Sequence, residues 1–184
     1  LNVLMIIGRF LTKYPRKIIV AEHITFNDEI ISKGKMTERI RPWLIRLFYP
    51  FADQIVAVSR ASAESIYHYA KLNKKVTVIW NGVDIEEIRQ KSQKSVSHPW
   101  FGDRKIKLLL GMGRLSEQKD FSNLLRAFSN LKDKENYRLL ILGEGPDENM
   151  LRSLVLDLGI QEYVDFLGFI ENPYHFLAQA DLFL

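Results

Sequence analysis

The chain is 184 residues long, 47% hydrophobic and 26% charged, a composition that supports a sizeable core and excludes disorder. It holds no cysteine, which excludes disulfides and thiolate metal sites and suits a reducing cytosol. The net charge of +4 is unevenly spread: residues 1–60 hold 10 Lys and Arg against 5 Asp and Glu, the remainder 16 against 17. The basic half suits anionic lipid or a phosphorylated acceptor, and no basic run is interleaved with aromatics as a nucleic-acid surface requires.

Leu1 to Leu11 is apolar but broken by Arg9, and it is too short to span a bilayer. It lacks a signal peptide's basic leader and small-residue cleavage site, so it is expected to be the tail of a helix. The chain opens on Leu1 and stops at Asp181–Leu184 inside an expected strand, so both ends are expected to be cut. Lys17 to Ala21 predicts a buried strand ending at Glu22-His23. A lone histidine at a strand end is more often structural than catalytic, but His23 falls on the ligand side of a parallel sheet.

Ile40, Trp43, Leu44, Leu47, Phe48 and Phe51 recur at helical spacing, with Arg39, Arg41 and Arg46 off the stripe. Pro42 is expected in the first turn and Pro50 at the close. The favoured reading packs this apolar face on the sheet; the alternative is a basic, Trp-bearing surface resting on a membrane interface. Gln54 to Val58 predicts a strand, Ser59 an N-cap for a helix bearing Ile66, Tyr67 and Ala70, and Val76 to Trp80 a further strand. Asn81-Gly82-Val83-Asp84 is a turn signal. The polar run 91–105 is expected to be a linker between one domain over 1–90 and a second over 106–184.

The second domain opens with a strand over Ile106 to Leu110, followed by G-M-G-R-L-S-E-Q-K-D-F over residues 111–121. Phe121, Leu124, Leu125, Phe128 and Leu131 then predict a helix, with Asp120 as its N-cap. A loop from a strand's carboxyl end into a helix favours an anion through its backbone N–H groups and the helix dipole. Gly111 and Gly113 would let the backbone approach a ligand, and Arg114 and Lys119 would supply charge for a phosphate or diphosphate. The third glycine of a dinucleotide fingerprint would fall at Ser116, and no Walker motif occurs. Arg138 to Leu142 leads to Gly143-Glu144-Gly145-Pro146 and a helix bearing Leu151, Leu154, Val155 and Leu158, closed by Gly159. Val164 to Leu167 leads to Gly168-Phe169, and Asn172 is expected to cap a short helix with Pro173 in its first position. Such alternation predicts an α/β fold with parallel, Rossmann-like sheets.

The runs G-R-L-S-E-Q-K-D-F, L-L-R-A-F, G-E-G-P, V-D-F-L-G and N-P-Y-H-F-L-A-Q-A-D-L-F-L, taken in order, resemble the retaining nucleotide-sugar glycosyltransferases of family 4. V-A-E-H and N-G-V-D resemble it more loosely. The resemblance implies a GT-B fold, here as parts of two Rossmann-like domains, one on the acceptor side and one binding the donor. It implies that Arg114 and Lys119 grip the donor's diphosphate, that His23 lies near the donor sugar and reacting centre, and that Gly168, Phe169 and Ile170 meet the nucleobase. Gly113, Gly143 and Gly145 fall in the matching donor loops. It further implies transfer with retention from a nucleotide sugar to a glycan or lipid-linked acceptor in surface polysaccharide synthesis, without metal or other cofactor, in the cytoplasm or at the inner face of its membrane. The family's glycine loop would precede Leu1 and its paired glutamates would follow Leu184, so this stretch alone is expected to be inactive. Asp120 departs from the family, where many members carry glycine. A non-catalytic module of the same fold, binding nucleotide or sugar, is the alternative. A nicotinamide-dependent dehydrogenase is disfavoured by Ser116 and by the lack of an obvious ribose-binding acid.

Overall fold

The computed structural model describes residues 2–12, 17–23, 25–27, 36–102 and 105–184, apart from the side chain of Glu38. Leu1, residues 103–104 of the expected linker, and Lys13, Arg16, Lys33 and Lys35 of the basic half lie outside the described residues. The chain divides into two compact units, 1–83 and 84–184.

In the first unit, helix α1 (Asn2–Leu11) precedes strand β1 (Ile19–Glu22), helix α2 (Met36–Phe48) and a 3-10 turn over Tyr49–Phe51. Strand β2 (Gln54–Ala57), helix α3 (Arg60–Ala70) and strand β3 (Val76–Val78) follow. The strands form a parallel sheet in the order β1-β2-β3, with Glu22 opposite Ala57. Ser59 caps α3 as expected, its hydroxyl accepting from Ser62 N at 3.0 Å. Val20, Ile55 and Ala57 pack with Ile6, Ile45 and Ile66 in one core.

Helix α2 departs from the sequence reading in two ways. Pro42 lies in its interior, because the helix already begins at Met36. Its apolar stripe turns only in part to the core: Leu44 is half-buried and Phe48 packs on the core, but Ile40, Trp43 and Leu47 are 43%, 63% and 46% exposed, while Pro42, Ile45 and the following Tyr49 are buried. Off the stripe, Ile45 and Tyr49 take the core positions, and Arg41 beside them reaches the buried carboxylate of Glu22 at 2.8 Å.

In the second unit, helix α4 (Ile85–Ser92) is capped by Asp84, which accepts from Glu87 N at 2.9 Å. Strand β4 (Lys107–Met112), helix α5 (Phe121–Ser129), strand β5 (Tyr137–Leu142), helix α6 (Glu148–Asp157), strand β6 (Val164–Gly168), helix α7 (Tyr174–Gln179) and strand β7 (Leu182–Phe183) complete it. The sheet is parallel throughout, in the order β6-β5-β4-β7. Alternate residues of β4 and β5 serve two cores. Leu109, Leu139 and Ile141 pack against Leu125, Phe128 and Leu151, and Leu108, Leu110, Leu140 and Leu142 pack on the side of Phe176. Burial on both faces is why these strands are nearly continuous apolar runs.

By its contacts the chain divides at Val83–Asp84, and residues 91–102 pack on the second unit. Helix α4 packs on α7, and Val96, Trp100 and Phe101 cover the core around Phe176. Asn172 does not cap α7: Pro173 holds that position, and Asn172 Nδ2 donates instead to the Lys91 carbonyl at 3.0 Å. Leu131 lies beyond the end of α5, and Gly159 closes α6 with a φ of +62°.

Candidate functional site

Three loops meet at the carboxyl end of the second sheet. The loop after β4 is stitched to the loop after β5 by Gly113 N to Leu142 O (3.0 Å), Leu115 N to Glu144 O (3.0 Å) and Asp147 N to Leu115 O (3.1 Å). The loop after β5 is tied to β6 by Gly143 N to Gly168 O at 2.7 Å. Glu144 completes the set, its Oε1 accepting from Phe169 N at 3.3 Å.

The glycines explain how the loops come so close. Gly143 has a φ of +131°, and a Cβ there would lie 2.0 Å from Gly113 O. A Cβ at Gly145 would lie 2.1 Å from Leu115 O. Both positions exclude a side chain because a neighbouring backbone occupies the space. Gly111, read as a point of ligand approach, has a packing role: a Cβ there would press on Leu124 and Phe121, each at 3.1 Å. At Gly113 the nearest contact is the Lys119 stem at 3.7 Å, so this glycine alone of the two leaves backbone open on the loop.

A cavity of about 440 Å³ lies between the loops, lined by Met112, Gly113, Arg114, Leu142, Gly143, Glu144, Phe169, Ile170, Glu171 and Pro173. Five residues marked from sequence line it: Gly113, Arg114, Gly143, Phe169 and Ile170. Gly145, Gly168 and Lys119 stand behind the lining, Lys119 with its stem against Gly113. Arg114 and Lys119 are both exposed, and no described carboxylate forms an ion pair with either. The sequence reading passed over Glu144, and its only signal was a charged residue between two glycines.

Between Arg114 and α5, Glu117–Lys119 form a 3-10 turn that ends at Asp120 in the left-handed region, φ +48°. A glycine adopts that conformation without steric cost. Here Asp120 compensates by capping α5, accepting from Asn123 N at 3.3 Å.

His23 belongs to the other unit, exposed at the carboxyl end of β1. Among the described residues, no group of three or more His, Cys, Asp or Glu is placed to hold a metal ion, and no helix is long and apolar enough to cross a membrane.

Comparison with known proteins follows the same division. Residues 90–184 match the family model of glycosyl transferases group 1, and residues 3–87 that of glycosyltransferase family 4. One relative, from Campylobacter jejuni, is N-acetylgalactosamine-N,N'-diacetylbacillosaminyl-diphospho-undecaprenol 4-alpha-N-acetylgalactosaminyltransferase. It is 31% identical across 90% of this chain and 43% of its own length. The alpha-monoglucosyldiacylglycerol synthase of Streptococcus pneumoniae is 29% identical across 91% of this chain and 40% of its own. Among solved structures, Anabaena Alr3699/HepE in complex with UDP and glucose superposes with a TM-score of 0.68 at 22% identity, covering 99% of this chain and 49% of that one. WaaG, a glycosyltransferase of lipopolysaccharide biosynthesis, gives a TM-score of 0.63 at 14% identity, covering 96% and 55%. These likenesses establish the GT-B fold. The chain spans about half the length of such relatives.

Proposed function

The chain belongs to the glycosyl transferases of group 1, and from that premise we propose that its second unit binds the donor of a retaining, nucleotide-sugar-dependent glycosyltransferase. The observation that carries this reading is the cavity at the carboxyl end of the parallel sheet, with Arg114 and Gly113 on one side and Phe169 and Ile170 on the other. The base rests against the backbone of 168–170, and the diphosphate faces Arg114 and Lys119. Arginine gives a two-point grip on phosphate oxygens and lysine a point charge. Both meet the negative charge that grows on the leaving diphosphate as the glycosidic bond breaks, a stabilisation worth several kcal/mol, roughly 3 to 4 by analogy with a single oxyanion donor. The acceptor hydroxyl attacks from the leaving-group face of an oxocarbenium-like sugar, with His23 at the reacting centre. No metal or other cofactor enters this scheme.

The Campylobacter relative's name specifies a diphospho-undecaprenol-linked sugar and the Streptococcus relative's a glucosyl diacylglycerol, which supports a lipid-linked acceptor for this protein. The outward face of α2 fits it to the membrane where such acceptors reside. Trp43 sits with Arg39, Arg46, Tyr69 and Lys71 around a shallow hollow, apolar rings among cations, as an anionic lipid surface requires.

The test of the donor site is calorimetry with UDP and other nucleoside diphosphates on the product of the complete reading frame. Arg114→Ala and Lys119→Ala each lose a charge-assisted contact, about 1.5–3 kcal/mol, so affinity should fall roughly tenfold to over a hundredfold. Unchanged affinity and turnover in both variants would reject the phosphate assignment.

A further inference from the structure

The end of β1 carries a cluster that the donor site does not use. Alternation along the strand sends Val20 and Glu22 into the face covered by the helices, and Glu22 is fully buried. Its Oε2 accepts from Arg41 Nη2 at 2.8 Å. Its Oε1 accepts from the Tyr49 hydroxyl and from Asn2 Nδ2, the latter at 3.2 Å. Asn2 Nδ2 also lies 2.9 Å from the Ala21 carbonyl and 3.0 Å from the Tyr49 hydroxyl. Burial, and next the carboxylate it donates to, push the Tyr49 hydroxyl well above the ordinary phenol range, so it stays protonated as a donor. The Arg41 guanidinium lies 5.8 Å from the centre of the Phe26 ring. Donors from α1, α2 and the 3-10 turn therefore converge on one carboxylate at the last residue of the strand.

Such a cluster is a poor way to gain stability. Taking a carboxylate out of water to meet a half-exposed guanidinium costs about as much as their attraction returns, and apolar side chains of the same shape serve as well. What the cluster does supply is position. Both oxygens of Glu22 are held from different directions, and the residue that follows is His23. The ladder to β2 also reaches this point, Val58 N donating to the Glu22 carbonyl at 3.2 Å, and Glu22 adds the side-chain anchor nearest to His23 in β1.

We propose that Glu22 is a positioning residue for His23, holding the strand end so that the imidazole meets the reacting centre. This rests on the reading of His23 given above. His23 follows Glu22 directly, so a shift of the strand end is passed on to it. Displacement of about 1 Å at a reacting group can cost on the order of a hundredfold in rate.

The experiment is a double-mutant cycle in the product of the complete reading frame, with kcat, donor KM and thermal midpoint recorded for Glu22→Gln, His23→Ala and the pair. Glu22→Gln keeps the shape of the side chain and removes its charge. Alone it should lower kcat by about tenfold to a hundredfold with little change in donor KM. On the His23→Ala background it should lower kcat by less than about twofold, since residues acting as one unit are not additive. Tyr49→Phe, which removes one of the donors and leaves the ring in place, should give a smaller loss of the same kind, and it carries the cycle if Glu22→Gln does not fold. An unaltered kcat in His23→Ala would overturn the role of His23 and the proposal with it. An impaired His23→Ala enzyme in which Glu22→Gln costs its full factor again would overturn the proposal alone.

Discussion

Asp120 shows how one residue can carry a conformational cost and its compensation together. Its φ of +48° strains a residue with a Cβ, while its carboxylate caps the helix that starts at Phe121. The left-handed region costs roughly 1 kcal/mol outside glycine, with aspartate penalised least, and a lost N-cap costs about 1 kcal/mol. Asp120→Gly trades one for the other and should leave stability within about 0.5 kcal/mol, since glycine in place of a capping residue costs only tenths. Asp120→Ala keeps the strain without the cap and should lose about 1–2 kcal/mol. Urea denaturation of the two variants beside the parent checks the contrast, and equal losses would mean that the left-handed backbone at Asp120 carries no strain.

At the scale of elements, helix α2 gives the sharpest expectation. Its exposed Ile40, Trp43 and Leu47, flanked by arginines, should bring the protein to vesicles containing anionic lipid, with binding that fades as salt is raised. Trp43→Ala should weaken co-sedimentation, and absence of binding to anionic vesicles at low salt would remove the membrane reading. The same helix marks the limit of what the sequence discloses. Its existence was legible from period alone, but its buried face only in part, because Ile45 and Tyr49, which lie off the stripe, fill the core beside Arg41 and Glu22. The strands of the second unit were legible because both their faces are buried and their composition is extreme. The Asp120 cap was legible, whereas its left-handed backbone was not. At the donor loops the glycines could be marked in advance. That Gly143 and Gly145 make room for Gly113 O and Leu115 O depends on contacts between segments far apart in sequence, which no local pattern encodes.

Across the whole molecule, each unit is fastened at the amino ends of its strands by an aspartate. Asp53 accepts from Ile18 N at 2.8 Å and pairs with Arg9, also at 2.8 Å. Asp181 pairs with Lys107 and accepts from Leu108 N, each at 2.8 Å. The Ile18 N–H, with Arg9 beside it, holds the Asp53 carboxyl below its ordinary range, and Lys107 followed by the Leu108 N–H does so for Asp181. A carboxyl lowered by folding stabilises fully above its unfolded pKa of about 4 and loses that contribution as pH falls through the folded value. Acid should therefore weaken both units below about pH 4, and Asp53→Asn or Asp181→Asn should flatten the fall in denaturation midpoint across that range. A slope unchanged in both variants would assign the acid sensitivity elsewhere. The interlocking of the loops at Gly113, Gly143 and Gly168 has a further consequence, for inheritance. Every backbone bond that shapes the cavity is made within residues 84–184, so the pocket is a cassette whose parts cannot be exchanged singly. Recombination inside it would set a foreign Cβ or a shifted carbonyl into a gap already filled, while a crossover near Val83 would carry the whole pocket intact. Chimeras joined there should take the nucleotide preference of whichever parent supplied the second half, and chimeras joined between β4 and β5 should bind no nucleotide at all.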